Sequence, residues 1–321
     1  MSKGQIYQSR TNHFKGELGM KKILVCDALH PDAMDEIKSI PEFDVTVKTG
    51  MDEEELVKTM PGYHAAVVRS ATKLRKRAIE AATDLSLIVR AGIGLDNIDV
   101  EDAKNKGIQV ANTPSATTIS VAEHTFGLML GCVRHHGPAN LSMKAHKWEK
   151  KKFSGTELYE KTLGIIGSGR IGCAVAERAI AFGMKVIAFD IVQIKTSLDI
   201  QQVTLDDLFS QSDIISLHLP FSNSTRHIIS DEAFAKMKDG VIIINAARGG
   251  VVHEEALLRA LESGKVRAAG MDVYEKEPPG DFALIDHPNV ICTPHIGAAA
   301  KEGQRRAGLE VVNILRKTLV G

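Results

Sequence analysis

The sequence predicts an α/β protein built from two doubly wound parallel-sheet domains. Apolar runs without alternation, such as VIIIN at residues 241–245, are typical of strands buried on both faces of a parallel sheet. Segments with helical spacing separate these runs along the chain, as crossover helices do. The alternation occurs in two sets, before and after a long helical segment at residues 118–136, which indicates two domains.

The first set begins after a polar segment, residues 1–19, which lacks periodicity and is predicted to be a disordered tail. Segments with helical spacing lie between the strands, for example at residues 31–40 and 51–60. A final helix at about residues 299–317 follows the second set, and we expect it to pack on the first domain. The substrate-binding domain is therefore predicted at residues 20–114 and 300–321. Its strands are predicted at KKILVCD, FDVTVKT, HAAVVRS, LSLIVRAG and IQVAN.

The second set, within residues 115–299, is predicted to form a dinucleotide-binding domain of the Rossmann type, paired with a flavodoxin-like first domain. Helical spacing recurs between its strands, for example at residues 253–264. Its strands are predicted at TLGIIG, KVIAFD, IISLHLP, VIIIN, RAAGMDV and VICTP.

The composition excludes several classes of function. Forty basic and forty acidic side chains cancel, so no overall field favours nucleic acid or a membrane surface. The longest apolar helical stretch, residues 119–133, is too short to span a bilayer. The four cysteines are scattered singly, which favours a reducing cytoplasm. In RHHGP, residues 134–138, adjacent histidines point apart and Gly-Pro is expected to stop the helix, so no metal site is predicted.

A glycine-rich turn follows the first strand of the second set. Gly167, Gly169 and Gly172 have GxGxxG spacing, which suits a tight turn, close approach of a pyrophosphate and close helix packing. Asp190 ends the next strand, 190 − 167 = 23 residues after the first glycine, where it can accept hydrogen bonds from ribose hydroxyls. A carboxylate there repels a 2′-phosphate, so NAD is predicted rather than NADP.

Three polar side chains follow later strands of the second set. Arg248 comes after VIIIN and precedes two glycines, Glu277 follows RAAGMDV, and His295 follows VICTP. In a parallel sheet these positions share one edge, beside the predicted cofactor. Arginine can hold a carboxylate at two points, histidine can exchange the hydroxyl proton, and a carboxylate stabilises the imidazolium. We therefore expect Arg248, Glu277 and His295 to be catalytic in hydride transfer from a hydroxy acid.

These residues, read with their flanking segments, resemble the D-isomer-specific 2-hydroxyacid dehydrogenases, and within them the short phosphoglycerate dehydrogenases. The resemblance extends from residue 20 onward and includes VVRSATK, VRAGIGLDNID, KWEKKKFSGTEL, LGIIGSGRIG, INAARGGVVHEEALLRALESGKV, MDVYEKEPP and TPHIGAA. It implies the same catalytic set and an extended NAD site. That site comprises Gly167, Gly169, Arg170, Ile171, Gly172, Asp190, His218, Leu219, Ala246, Ala247, Arg248, Asp272, His295 and Gly297.

The resemblance also implies how a small 2-hydroxy acid is bound. Arg69 and Arg90 end strands of the first domain and are expected to meet a substrate phosphate, for which two guanidiniums are well suited. The segment around Lys150 resembles an arm that embraces a second subunit, which implies a homodimer. Ile93 stands where relatives often have threonine, so only its backbone is expected to serve. The implied substrate-binding residues are Arg69, Ser70, Arg90, Gly92, Ile93, Lys150, Arg248 and His295.

The resemblance implies NAD-dependent oxidation of D-3-phosphoglycerate to 3-phosphohydroxypyruvate, or its reversal, at the start of serine biosynthesis. A glyoxylate or hydroxypyruvate reductase would use the same three catalytic residues. A binding protein of another class, an NAD-sensing corepressor, would keep the fold without turnover, but the complete Arg-Glu-His set weighs against it. The chain ends 321 − 295 = 26 residues after His295, so the regulatory domains of longer relatives are expected to be absent.

Overall fold

The computed structural model describes residues 19–321, so the disordered tail predicted at residues 1–19 lies, apart from Gly19, outside the described residues. The chain divides into two compact units. Unit 1 comprises the residues up to Thr117 together with Ala298–Gly321, and unit 2 comprises Thr118–Gly297. Unit 1 is therefore discontinuous in sequence, because the chain leaves it, builds the whole of unit 2 and then returns.

Unit 1 contains a five-stranded sheet in the order β2-β1-β3-β4-β5, with every pairing parallel. This is the flavodoxin-like order of a doubly wound sheet, so the predicted fold class is confirmed for this unit. The elements are β1 Lys21–Val25, α1 Pro31–Lys38, β2 Phe43–Val47, α2 Glu53–Thr59, β3 Ala65–Val68, α3 Lys76–Ala81, β4 Leu87–Arg90, α4 Val100–Asn105 and β5 Gln109–Asn112.

Unit 2 begins with two helices and contains a seven-stranded sheet. The elements are α5 Thr118–Arg134, α6 His136–Lys144, a 3₁₀ helix Lys150–Phe153, β6 Thr162–Ile166, α7 Arg170–Ala181, β7 Lys185–Phe189, β8 Gln201–Gln202, α8 Leu205–Gln211, β9 Ile214–Leu217, α9 Asp231–Lys236, β10 Val241–Asn245, α10 Glu254–Glu262, β11 Val266–Met271, α11 Ala283–Asp286 and β12 Val290–Cys292.

The strand order of unit 2, β12-β11-β10-β9-β6-β7-β8, is that of a Rossmann sheet with one added strand. Every pairing is parallel, which confirms the predicted fold class for this unit as well. The order reverses between β6 and β9, where consecutive crossovers leave the sheet on opposite faces. Ligands of open parallel sheets bind beyond the carboxyl ends of the strands at such a point.

Helices cover both faces of the unit 2 sheet, which explains why its strands lack alternation. In β10, Ile243 packs with residues of α8, α9 and α10, whereas Ile242 and Ile244 pack with residues of α5 and α7. All five residues of β10 are buried. Alternate side chains of a strand point to opposite faces, so a strand buried on both faces is apolar in both directions, and in β10 only the last residue, Asn245, is polar.

The last helix, α12 (Lys301–Leu319), belongs to unit 1. Its residues Val311, Val312 and Leu315 are fully buried and join the core formed by β1 and β4. Within residues 19–321, no helix combines the length and the apolarity that crossing a bilayer requires.

One local expectation was wrong, and one short strand was missed. Helix α5 ends at Arg134, because His135 adopts a left-handed φ of 55°, and α6 then begins at His136 instead of the chain stopping at Gly-Pro. Gly137 and Pro138 lie in the first turn of α6, where proline loses no hydrogen bond because its nitrogen would have no helical partner. Strand β8 was not predicted, since its two exposed glutamines carry no apolar signal.

Candidate active site

Three glycines after β6 form a loop that fits a dinucleotide. Gly167 has a φ of +94°, and a Cβ placed on it would lie 2.6 Å from the carbonyl oxygen of His218. A Cβ on Gly172 would lie 2.2 Å from the carbonyl oxygen of Gly167, so α7 packs on the loop as closely as glycine allows. Gly169 is the N-cap of α7, and no atom lies within 4 Å of the position that its Cβ would take. A pyrophosphate bound over the helix N-terminus requires such open space.

Asp190 lies beside this loop, directly after β7. One of its carboxylate oxygens accepts a hydrogen bond of 2.7 Å from the amide of Ser168, and the other accepts one of 3.2 Å from the amide of Val192. A carboxylate offers about four acceptor positions, so Asp190 can also accept bonds from a ribose. The carboxylate thus links the end of β7 to the glycine loop.

His218 follows β9, across the strand reversal from the glycine loop. Its Nε2 lies 2.9 Å from the hydroxyl of Ser216, and its buried Nδ1 has no hydrogen-bond partner among the described residues. Burial disfavours the imidazolium and lowers the pKa of His218 to about 4. The ring is therefore neutral at pH 7, and its Nδ1 is suited to a ligand group. The side chain of the neighbouring Leu219 packs against Gly167, because a Cβ placed on Gly167 would lie 3.0 Å from it.

Arg248 stands on a turn after β10 that a buried asparagine organises. Asn245 accepts a bond of 3.1 Å from the amide of Ala247 and donates one of 3.0 Å to the carbonyl oxygen of Arg248. The guanidinium of Arg248 also donates to the carbonyl oxygen of Ala247 at 2.7 Å. A Cβ on Gly249 would lie only 1.7 Å from the carbonyl oxygen of Tyr274, so this turn packs directly on the segment leading to Glu277.

Glu277 and His295 form a hydrogen-bonded pair. Nδ1 of His295 lies 2.7 Å from Oε2 of Glu277, whose Oε1 accepts a bond of 3.2 Å from the amide of Tyr274. Burial alone would raise the pKa of Glu277, but the hydrogen bond and positive charge of His295 outweigh it and hold that pKa below its ordinary value. The geometry leaves Nε2 as the imidazole nitrogen that can face a substrate. The pair has the arrangement of a general base with its orienting carboxylate.

Asp272 supports the turn that carries His295. Its buried carboxylate accepts hydrogen bonds of 2.8 Å from the amides of Ile296 and Gly297, and one of 2.6 Å from the hydroxyl of Thr293. Desolvation would raise the pKa of Asp272, but these bonds and the nearby His124 hold it below its ordinary value. Its carboxylate is therefore an anion that organises the turn around His295.

Unit 1 places two arginines close together. Arg69 donates from its guanidinium to the carbonyl oxygen of Ala28 at 3.1 Å, and Nε of Arg90 donates to the carbonyl oxygen of Arg69 at 3.3 Å. The side chain of Arg90 folds over Gly92, whose φ is +156° and whose Cβ, if present, would lie 2.6 Å from the guanidinium. Ile93 accepts a bond of 2.5 Å from Asn112 at its backbone oxygen. Ser70, next to Arg69, is exposed.

Comparisons with known proteins agree with this architecture. A family model described as "D-isomer specific 2-hydroxyacid dehydrogenase, NAD binding domain" matches residues 126–297. A hydroxypyruvate reductase from Thermotoga maritima is 52% identical over 301 residues, 93% of this chain and 98% of its own. A D-3-phosphoglycerate dehydrogenase from Methanocaldococcus jannaschii is 47% identical over 306 residues, which cover 94% of this chain and 58% of its own.

The chain belongs to the D-isomer specific 2-hydroxyacid dehydrogenases. A solved structure of D-lactate dehydrogenase from Aquifex aeolicus, complexed with NAD and lactic acid, superposes with a TM-score of 0.83 at 31% identity. The match covers 94% of this chain and 96% of that one. The predicted cofactor is therefore confirmed as NAD, and its binding domain contains the glycine loop of unit 2. The dehydrogenase spans a little over half the length of the phosphoglycerate dehydrogenases that it matches, 58% and 55% in two of them.

Within each unit, the dehydrogenase brings together many of the residues that the sequence singled out. The glycine loop lies next to Asp190 and His218, and the segments carrying Arg248 and Glu277 are in contact. Lys150 is exposed on the 3₁₀ helix, so its predicted substrate role remains a prediction. Among residues 19–321, no cluster of three or more histidine, cysteine or acidic side chains is arranged to hold a metal ion.

Sequence reasoning missed two side chains that build this site. Asn245 ends an apolar strand, and a buried amide at that position is a signal that could have drawn attention to the turn. His124, on α5, lies 3.0 Å from the hydroxyl of Thr293 and 3.3 Å from Asp272. No local pattern marks His124, because its partners follow 148 or more residues later in the chain.

Proposed function

We propose that the dehydrogenase interconverts D-3-phosphoglycerate and 3-phosphohydroxypyruvate, with NAD as the hydride carrier. The observation that carries the proposal is the His295–Glu277 hydrogen bond of 2.7 Å, on a segment in direct contact with the turn that bears Arg248. In that arrangement His295 can accept a proton from a 2-hydroxy acid, and Arg248 can bind the carboxylate of the same molecule. The phosphorylated substrate is a finer proposal and rests on Arg69 and Arg90.

The chain's own groups have distinct tasks in the proposed reaction. Arg248 binds the substrate carboxylate and polarises the oxygen on C2. Nε2 of His295 accepts the hydroxyl proton as the carbonyl forms, and Glu277 stabilises the resulting imidazolium. When bound, NAD supplies the electrophilic carbon that accepts hydride from C2. In the opposite direction, His295 returns the proton to the carbonyl oxygen.

The proposed phosphate site consists of the guanidiniums of Arg69 and Arg90. Nε of Arg90 is anchored on the backbone carbonyl of Arg69, and the guanidinium of Arg69 on that of Ala28, so both cations are held by nearby backbone and can attract one dianion. Phosphate accepts the paired hydrogen bonds that guanidinium offers. The relative from Methanocaldococcus jannaschii, named D-3-phosphoglycerate dehydrogenase, supports the same substrate. The proposed reaction would begin serine biosynthesis.

A second candidate function is the reduction of hydroxypyruvate or glyoxylate. The relative from Thermotoga maritima that is named hydroxypyruvate reductase matches at 52% identity across 98% of its length. The same three catalytic side chains would serve, because the reacting carbon and its carboxylate are unchanged. Hydroxypyruvate differs from the phosphorylated acid only in lacking the phosphate on its third carbon, whereas glyoxylate lacks that carbon as well.

We also propose that the protein is a cytoplasmic homodimer. Leu141, Met143 and Trp148 are exposed within eight residues of unit 2, and burial against a second copy would remove their apolar surface from water. Lys150 follows this stretch, and we propose that it reaches the substrate bound by the partner subunit. All four cysteines, Cys26, Cys132, Cys173 and Cys292, are free thiols, as expected in a reducing compartment.

The substrate is tested by following NADH oxidation with 3-phosphohydroxypyruvate, hydroxypyruvate and glyoxylate at equal ionic strength. We expect kcat/KM to be at least about tenfold higher for the phosphorylated acid, and Arg69→Gln to remove that preference. Arg77→Gln is the matched control, since Arg77 pairs with Glu53 and Glu54 on an exposed surface of unit 1. Higher efficiency with hydroxypyruvate would replace the leading proposal by the second candidate.

A further inference from the structure

A short loop of unit 1, residues 69–72, begins at Arg69 and is held on one side by a buried carboxylate. Oδ2 of Asp27 accepts hydrogen bonds from the amides of Arg69 at 2.5 Å and Thr72 at 3.2 Å. Oδ1 of Asp27 accepts a bond of 2.8 Å from the hydroxyl of Thr72. Asp27 is 7% exposed, so these bonds replace the hydration that burial removes. Asp27 thus binds both ends of the loop by accepting hydrogen bonds from their N–H and O–H groups.

The side-chain amide of Asn97 holds Arg69 and Thr72 by donating hydrogen bonds to their backbone carbonyl oxygens. Its Nδ2 donates to the carbonyl oxygen of Arg69 at 2.8 Å and to that of Thr72 at 2.7 Å. Because both partners are carbonyl oxygens, the NH₂ group must face the loop. Asn97 is 8% exposed, and its Oδ1 has no hydrogen-bond partner among the described residues. An unsatisfied buried acceptor is costly, so the two donor bonds must offset that cost.

The clamped loop controls the second arginine as well as the first. Nε of Arg90 donates at 3.3 Å to the carbonyl oxygen of Arg69, the same atom that Asn97 binds. A shift of that carbonyl would therefore move the anchor of Arg90 together with the backbone of Arg69. Between the clamped ends, Ser70 and Ala71 are exposed and make no contact with Asp27 or Asn97 among the bonds described above.

We propose that Asp27 and Asn97 are positioning residues for phosphate recognition, because they fix the loop of residues 69–72 that spaces the guanidiniums of Arg69 and Arg90. The inference rests on the proposed phosphorylated substrate. A clamp of this kind sets selectivity, since a guanidinium displaced by one ångström loses a charge-assisted bond to phosphate. A purely structural clamp would instead affect every substrate alike.

The test compares substrates within each variant. Asn97→Leu keeps the branched outline of the side chain, at a larger volume, and removes both donor bonds. We expect kcat/KM to fall about tenfold or more further for 3-phosphohydroxypyruvate than for hydroxypyruvate. The extra loss should lie mainly in KM, because the phosphate is remote from the reacting carbon. Asn105→Leu is the matched control, since Asn105 is exposed at the end of α4 in the same unit.

A second pair of variants covers the case in which Asn97→Leu fails to fold. Thr72→Val removes the hydroxyl that donates to Asp27, and Thr72→Ser retains it, so valine should lower the selectivity ratio and serine should restore it. Thermal unfolding of each variant separates folding defects from selectivity. Equal losses for both substrates would overturn the inference while the proposed substrate stands. A wild type without preference for the phosphorylated acid would overturn both.

Discussion

At the scale of single residues, the turn after β10 explains how the charged side chain of Arg248 comes to follow an apolar strand. Strand β10 is buried on both faces, and its last residue, Asn245, uses its amide to shape the turn that presents the guanidinium. The turn then rests on the backbone of Tyr274, three residues before Glu277. Backbone contacts thus hold the turn of Arg248 against the segment that leads to Glu277, and a preorganised site of the kind we propose requires such contacts.

Arg248→Lys should remove most of the activity. Lysine keeps the positive charge but lacks the planar fork that binds a carboxylate at two points, so we expect kcat/KM to fall roughly 10²–10³-fold. NADH affinity, measured by fluorescence titration, should stay within about threefold. Arg259→Lys, at an exposed pair with Asp231, serves as the control. Unchanged turnover in Arg248→Lys would exclude the guanidinium from the reaction.

His218 should make the free protein less stable in mild acid. Its folded-state pKa of about 4 lies below the ordinary value of about 6.5, so between these values the unfolded chain binds the proton and the folded protein does not. The stability that this group contributes is complete above about pH 6.5 and is lost as pH falls, by on the order of 2 kcal/mol at pH 5 and about 3 kcal/mol at pH 4. Urea unfolding at pH 7 and pH 5 should show a smaller decline for His218→Gln. Equal declines in both proteins would contradict the assignment.

At the scale of elements, β6, the glycine loop and α7 form one unit whose glycines differ in purpose. Gly172 has no room for a side chain because α7 crosses the loop backbone, whereas Gly169 faces open space at the helix N-terminus. Gly172 is therefore required for close packing within the protein, whereas Gly169 is required to leave room for a ligand. The motif alone does not distinguish them.

Alanine substitutions should separate these two requirements. Gly172→Ala places a Cβ against a backbone oxygen that cannot rotate away, so we expect the free energy of unfolding to fall by roughly 1–3 kcal/mol. Gly169→Ala should change it by no more than about 1 kcal/mol, the usual range for a helix N-cap. Its effect should be weaker NADH binding, by about tenfold, because the new methyl occupies the pyrophosphate space. Chemical denaturation and NADH titration of both variants provide the measurement, and the reverse pattern would refute this division.

At the scale of the whole molecule, one region of unit 2 exposes large apolar side chains that are not buried in its core. Trp148 is 80% exposed, Leu141 67% and Met143 54%, all on or just after α6. Single exposed apolar residues are common, but three large ones within a short segment form a patch typical of an interface.

Charged substitutions in this patch should convert the proposed dimer to monomers. Leu141→Glu combined with Trp148→Glu introduces two buried charges at a self-complementary interface, where each is repelled by the same region of the second copy. Light scattering after size exclusion should give twice the chain mass for the wild type and the single-chain mass for the variant. Val320→Glu, at an exposed apolar residue near the end of α12, should retain the wild-type mass. An identical mass for all three proteins would disprove the interface.

The sequence by itself determined the two parallel sheets and the glycine loop, and it predicted Arg248, Glu277 and His295 at one sheet edge, because buried strands and the residues that follow them have local signatures. Only the tertiary structure decided which buried polar groups hold these side chains. His124 meets Thr293 across 169 residues, and Asp27 meets the loop at Arg69 across 42. Such partners share no local period or motif, since their pairing is set by the packing of distant elements. The order of the strands, formed by crossovers along the whole chain, makes them neighbours.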